Sequence, residues 1–209
     1  MLKAPLRILI VAALCVIALV SLVVREGMAR AAGTEVLLAM EAVDPRALLS
    51  GHYVIVGLQT IAPPGACSAL DAGPADGEWL ALTPSGPETR VPRPPGMLFY
   101  TPISRHNSRA DAQRTGQLAV RGQANCTETT MGGGNSLENF PVSIVRTNLE
   151  GLDRFHINQA DAERIDRILR AQTPGGQVHA FAIISIGQDG RARLKGLMID
   201  GQRLELNWL

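Results

Sequence analysis

An α+β domain of mainly antiparallel strands, carried behind one N-terminal transmembrane helix, is the fold that the sequence predicts. Three observations lead there. Residues 6–24 are apolar and, apart from Arg7, uncharged. The stretch beyond is cut into short β-branched runs separated by Gly, Pro and Asp. One amphipathic helical pattern, at about residues 159–172, then precedes three strands punctuated by Asp-Gly turns. The expected organisation is a membrane anchor with a short linker over residues 1–32 and one extracytoplasmic domain over residues 33–209.

As a helix, residues 6–24 rise about 28 Å, close to the hydrocarbon thickness of a bilayer. A cleaved signal peptide is the competing reading, because Ala29-Arg30-Ala31 resembles a small-x-small cleavage site. The apolar run is long for a signal peptide, and Arg25, Glu26 and Arg30 separate it from that site. Both points favour an uncleaved anchor. Lys3, Arg7 and the α-amino group face Arg25 and Arg30 across the run, a bias that favours an inside N-terminus only slightly. Cys15 follows Leu14 and precedes more apolar residues, so it reads as a small hydrophobe in lipid and not as a lipoprotein cysteine.

Beyond the anchor, residues 34–43 are apolar and β-compatible until Asp44-Pro45 stops them, since proline pushes the residue before it towards an extended conformation. Residues 53–61, YVIVGLQTI, are rich in β-branched side chains and too short for a typical helix. These two runs are expected to pair as antiparallel neighbours. Residues 62–77 read as a loop, 78–82 as a short strand, and 83–96 as a proline-rich, partly polyproline-like excursion. Residues 97–103 form a strand that Pro102 ends or confines to an edge. Residues 116–124 and 140–147 are two more strands, joined across Gly132-Gly133-Gly134.

The last fifty or so residues carry the clearest pattern. Asn158 is a suitable N-cap, with Asp161 three positions on as a short capping box. Ala162, Ile165, Ile168 and Leu169 make an apolar stripe at helical spacing, and Thr173-Pro174-Gly175-Gly176 ends the helix. Residues 178–186, VHAFAIISI, are apolar on both faces and read as a central strand. Asp189-Gly190 turns the chain into residues 193–199, and Asp200-Gly201 turns it again into a strand where Leu204, Leu206 and Trp208 alternate with polar residues. The result is a helix followed by a three-stranded meander.

Composition removes one class of function. With 20 basic and 19 acidic residues the formal net charge is +1, so no electrostatic footprint for nucleic acid exists. Aromatic residues make up 4% of the chain, too few for base- or sugar-stacking platforms. Cys67 and Cys126 are the only cysteines beyond the anchor. In an exported domain they read as a disulfide closing a loop of about 60 residues, which stabilises by about 4 kcal/mol on chain-entropy grounds. Two free thiols are the alternative.

The stretch Gly51-His52-Tyr53-Val54-Ile55-Val56-Gly57-Leu58 resembles the signature of the GDYXXLXY family, named for the pattern Gly-Asp-Tyr-x-x-Leu-x-Tyr. Gly51 and Tyr53 match, Val56 is a mild change, and His52 and Leu58 depart from the pattern. Val43-Asp44-Pro45-Arg46 looks like the family's lead-in, and Arg154-Phe155-His156-Ile157 like its aromatic strand entering a helix. Asp189-Gly190-Arg191-Ala192 and Ile199-Asp200-Gly201 are similar to its C-terminal turns. The resemblance spans roughly residues 33–209. It implies a membrane-anchored extracytoplasmic domain, in the bacterial inner membrane with the C-terminal domain in the periplasm. It implies no chemistry, and because His52 stands where the family has an acid, no role of that acid carries over.

Chemistry-bearing patterns are sparse. His52, His106, His156 and His179 are far apart and share no metal-ligand spacing. No serine lies in a Gly-x-Ser-x-Gly elbow, and Ser143 and Ser185 fall within strand-like runs as packing residues. Lys195 is in the wrong setting for a Ser-Lys dyad. The Gly132–Gly134 run lacks the Lys-Ser/Thr of a phosphate loop, and the Arg90-Val91-Pro92-Arg93-Pro94-Pro95 tract reads as a stiff surface loop before it reads as a docking segment. The motif residues to watch are therefore Asp44, Gly51, His52 and Tyr53, with Cys67 and Cys126 as a disulfide, and no metal, cofactor or catalytic residue is assigned. The expected function is a membrane-tethered interaction or accessory module working beside another membrane or envelope protein. A hydrolase or small-ligand binder built around His52, Asp44 and His156 is the alternative.

Overall fold

A computed structural model describes residues 4–40, 53–54, 57–85, 97–132, 139–152, 155–156, 160, 163, 180–199 and 201–205. The first element, α1 (Ala4–Ala32), is a single uninterrupted helix. Its segment Ile8–Ala32 contains an 18-residue window of mean hydropathy 2.9 and is long and apolar enough to cross a membrane. Ile8, Leu14, Leu22 and Met28 are all exposed on it, uncovered by the rest of the chain.

The chain leaves α1 through Gly33 into β1 (Thr34–Ala39). The remaining elements are β2 (Tyr53–Val54), β3 (Leu58–Ala62), α2 (Ala66–Asp71), β4 (Trp79–Pro84) and β5 (Tyr100–His106), followed by α3 (Arg109–Thr115), β6 (Leu118–Gly132) and β7 (Asn139–Leu149). The C-terminal part holds β8 (Phe155–His156), β9 (Ala180–Ile186), β10 (Ala192–Ile199) and β11 (Gln202–Glu205). Two antiparallel sheets carry the domain, one in the order β1-β9-β10-β11 and the other in the order β3-β7-β6-β4-β5; β2 and β8 form a separate pair. The α+β class is as the sequence predicts.

The main core is made by one face of each sheet. Val36, Leu38, Ala182, Ile184, Leu197 and Leu204 of the first sheet meet Leu58, Leu80, Leu82, Val120, Val145 and Leu149 of the second. The expected central strand over 178–186 holds for its described residues, Ala180–Ile186, for a specific reason: β9 is covered on both faces. Ala182, Ile184 and Ile186 enter the main core, while Phe181 and Ile183 join Leu37, Met97, Phe99 and Met198 in a second cluster behind the sheet. The rings of Phe99 and Phe181 lie 4.7 Å apart there, tilted by 50°, a favourable aromatic geometry. The C-terminal meander is also as expected, with β10 between β9 and β11.

Several expectations are corrected. Residues 34–43 and 53–61 are not sheet neighbours: β1 pairs with β9 from Thr34↔Ile186 to Ala39↔Phe181, and β3 pairs with β7. A single antiparallel bridge, Met40↔Leu58, is all that links them. Residues 53–61 do not make one strand but two, β2 and β3, in different sheets. The stretch 62–77, read as a loop, contains α2, and a second short helix, α3, lies at residues that carried no expectation. Strand β6 runs on to Gly132, well past residue 124.

Pro102 sits in β5, the edge strand of the five-stranded sheet, beside a register shift between Ala81 and Leu82. An edge with a bulge is where proline is tolerated, because no partner needs its missing N–H. The helix expected at residues 159–172, the proline-rich stretch 86–96 and the ends of the glycine run lie outside the described residues, apart from Ala160 and Glu163, which are helical. The described flanks Gly132↔Asn139 pair antiparallel, so the glycine run begins a connection between hairpin-related strands.

Candidate functional site

Asp44, Gly51 and His52 lie outside the described residues. Tyr53 does not: it opens β2, and its register partner in β8 is His156, with Val54 opposite Phe155. The structure thus brings the motif tyrosine beside the histidine of Arg154-Phe155-His156-Ile157, 103 positions later by the two residue numbers in that pairing. Cys67 and Cys126 form a disulfide with an S–S distance of 2.04 Å and Cα atoms 5.2 Å apart. It fastens α2 to β6, and Leu70 of the same helix enters the main core. Ser143 is fully buried, with its Oγ 2.8 Å from both Pro63 O and Glu128 Oε1 and its one proton shared between these acceptors, so it holds the entry to α2. Among the described residues no group of three or more His, Cys, Asp or Glu is placed to hold a metal ion.

The densest charged constellation is at the junction of α1 with the first sheet. Arg193 of β10 reaches two carboxylates at once: its Nε lies 2.5 Å from Glu26 Oε1 on α1, and its Nη2 lies 2.8 Å from Asp189 Oδ2 in the β9–β10 turn. Its guanidinium, held above the ordinary arginine range by the hydrogen bonds of Asp189 and Glu26, is a permanent cation. The hydrogen bond from Arg193 pulls Asp189 down from 3.8 to about 2. Four residues along α1, Arg30 donates from Nε to Leu194 O at 3.0 Å and from Nη2 to Lys195 O at 3.1 Å.

Those two carbonyls are available for a reason. The β9–β10 register shifts between Leu194 and Gly196, so Lys195 is a bulge residue whose neighbourhood leaves the ladder locally incomplete. The helix α1 supplies the missing donors through Arg30. Lys195 in turn pairs with Glu35 of β1, which also faces Arg203 Nη1 of β11 at 3.5 Å. The Lys195 hydrogen bond, followed by the charges of Lys195 and Arg203, holds the Glu35 carboxyl below its usual range. Gly33 closes the joint: a Cβ there would lie 2.1 Å from Ser185 Oγ and 2.9 Å from Ile186 O.

Beside this joint opens a polar cleft of about 440 Å³, lined by Glu78, Arg121, Gly122, Gln123, Asn148 and Glu150. The Arg121 guanidinium lies 5.0 Å above the Trp79 ring, a cation–π arrangement that also buries Nε without a hydrogen-bond partner. Its Nη1 is 3.7 Å from Glu150 Oε2, and Glu150 Oε1 is 3.1 Å from Arg191 Nη2. Arg121 N donates to Gly190 O at 2.8 Å, which ties the cleft to the β9–β10 turn. Gly190 has φ +76, and a Cβ on it would lie 2.3 Å from Trp79 Cζ3. Two carboxylates, a guanidinium and two amides suit the recognition of a charged or hydrogen-bonding group.

In the sequence Arg25, Glu26 and Arg30 read as residues flanking a cleavage site, Arg25 and Arg30 also as orienting charges, and Asp189 as a turn residue that the family resemblance includes. The Asp189–Arg193 spacing was readable. The Glu26–Arg193 pair, made across 167 positions, was not. A family model, GDYXXLXY protein, matches residues 15–197, most of the chain. No curated protein and no solved structure matches.

Proposed function

The chain belongs to the GDYXXLXY family, and from that premise we propose that it is a single-pass, membrane-tethered extracytoplasmic module acting as an accessory or interaction partner of another membrane or envelope protein. One observation carries this reading. The apolar helix α1 runs without a break into a joint where Glu26 and Arg30 are bonded to β10, so the anchor is built into the domain. A presequence destined for removal needs no such contacts. The Cys67–Cys126 disulfide supports an oxidising compartment for the domain; on this reading the N-terminus is cytoplasmic and, in a bacterial cell, the domain is periplasmic. Crosslinking in native membranes followed by mass spectrometry tests the proposal. The expected result is enrichment of specific membrane or envelope proteins. Recovery of no specific protein overturns the accessory role.

A second reading is favoured by the register of β2 and β8. Tyr53 is the register partner of His156 in the strand pair, and a hydrolytic or small-ligand site around His52, Asp44 and His156 would use that juxtaposition. Substituting His156→Gln and His52→Ala tests it. Loss of the cellular phenotype of a null strain's rescue at unchanged melting temperature supports a site; full rescue removes it.

A further inference from the structure

The joint fixes how far the domain stands from the bilayer. Val24 ends the uncharged run, and at 1.5 Å per residue Glu26 lies about 3 Å beyond it and Arg30 about 9 Å beyond. The headgroup layer on each side of a bilayer is about 5–8 Å deep, so Glu26 lies within it and Arg30 at its outer border. Tilting α1 only brings both closer to the hydrocarbon.

The β9–β10 hairpin follows the helix in that direction. Arg30 is bonded at Leu194 and Lys195, whereas Glu26, about 6 Å nearer the bilayer, meets Arg193 where that guanidinium also holds Asp189 of the turn. Going from Arg30 to Glu26 along α1 is therefore going from the body of β10 to the hairpin tip. The tip carries Gln188, Asp189 and Arg191 exposed, and Arg109 from the start of α3 is hydrogen-bonded to Gln188 O.

Charge at this level is sorted. Glu26 and Asp189 share the one guanidinium of Arg193, while Glu150 pairs with both Arg191 and Arg121. Arg25 and Arg109 have no carboxylate partner among the described residues. We propose that the domain rests on the bilayer its own anchor spans, with the β9–β10 turn in the headgroup layer and Arg25 and Arg109 directed at lipid phosphates. The polar cleft at Arg121 and Glu150, tied to the same turn, then opens at the membrane surface. This rests on the anchor reading above. Guanidinium groups are suited to the role, because their fork of donors matches phosphate oxygens and they are weakly hydrated.

The test uses the full chain in lipid nanodiscs, with Cys15→Ser and single nitroxide labels introduced by Gln188→Cys, Thr130→Cys or Leu19→Cys. Thr130 is exposed and lies about 30 Å further along β6 from the turn-bonded Arg121. Power-saturation spectroscopy then reads accessibility to a water-soluble nickel chelate. The expected outcome is a label at Gln188 severalfold less accessible than that at Thr130, with the protection reduced in Arg25→Gln/Arg109→Gln and in phosphate-free detergent. A Gln188 label as accessible as Thr130, while the Leu19 label reports hydrocarbon depth, overturns the docking and leaves the anchor standing. A Leu19 label in water overturns the anchor reading itself, and the docking with it.

Discussion

Arg193 and Glu26 meet across the boundary between helix and domain, with Nε 2.5 Å from Oε1 and Nη2 3.2 Å from Oε2, a bidentate contact made by a side chain only 9% exposed. The same guanidinium holds Asp189 in the turn. Arg193→Ala removes both contacts and leaves two carboxylates facing each other at the joint. Because Glu26 and Asp189 are 61% and 46% exposed, water takes up part of the loss, and the expected cost is about 1–2 kcal/mol. Denaturation of the full chain in nanodiscs measures it. Arg193→Lys recovers only part of the loss, since an ammonium cannot satisfy two carboxylates in fork geometry.

The same contact sets an acid limit for the joint. Asp189 has a folded-state value of about 2 against an ordinary 3.8, chiefly through the Arg193 hydrogen bond. A carboxyl depressed by folding contributes stability that is complete above its unfolded value and vanishes as pH falls through its folded value. The Asp189 contribution is therefore expected to persist down to about pH 4 and to be lost between pH 4 and 2. Comparing denaturation midpoints of the wild type and Asp189→Asn over that range checks it. The two should converge at the acid end and separate, with the wild type more stable, above pH 4.

How much of this was readable depended on the range of the contact. The apolar N-terminal helix, the Asp-Gly turns and the apolar β9 are local patterns, and each was legible because composition and period alone decide it. The partner of β1 was not. Its short connection to residues 53–61 suggested a local pair, yet β9 has hydrophobic side chains on both faces and gains most by sitting inside a sheet, so it takes β1 on one edge and β10 on the other. The helix α3 was legible in principle: Ser108 accepts from Asp111 N at 3.2 Å, the N-cap bond that a Ser-x-x-Asp spacing announces, and its hydroxyl donates to Asp111 Oδ2 at 2.7 Å. The joint itself was hidden, because Glu26, Arg30, Glu35, Arg193 and Lys195 have individually ordinary surroundings in sequence and meet only after the sheet forms.

Reducing Cys67–Cys126, or replacing both cysteines by serine, should destabilise the domain by about 4 kcal/mol, the loop-closure entropy appropriate to a separation of 59 residues. The fold is expected to survive. Leu70 remains in the core, Arg105 Nε still donates to Leu70 O at 3.0 Å, and Ser143 and Glu128 still hold the chain at Pro63 and Gly65. A circular-dichroism spectrum of the Cys67→Ser/Cys126→Ser variant that matches the wild type, together with a lowered melting temperature, is the expected pair of results. Loss of the strand signal at room temperature would instead show that the disulfide is required for folding.

Gly190 tests the link between the turn and the cleft. Its backbone has φ +76, where an L side chain is strained, and its Cα faces the indole so closely that a Cβ would lie 2.3 Å from Trp79 Cζ3 and 2.5 Å from Cη2. Both atoms belong to a ring that is 8% exposed and packed with Ala81, Ala112 and Ala119, so the indole has little room to yield. Gly190→Ala is expected to cost about 2–3 kcal/mol through strain and displacement combined. The displaced ring carries Arg121 with it, since the guanidinium rests 5.0 Å above it. Tryptophan emission should therefore shift in the full chain carrying Trp208→Phe, which leaves Trp79 as the single reporter. Gly190→Ala with unchanged emission and unchanged stability would mean that the turn and the Trp79–Arg121 stack are not mechanically joined.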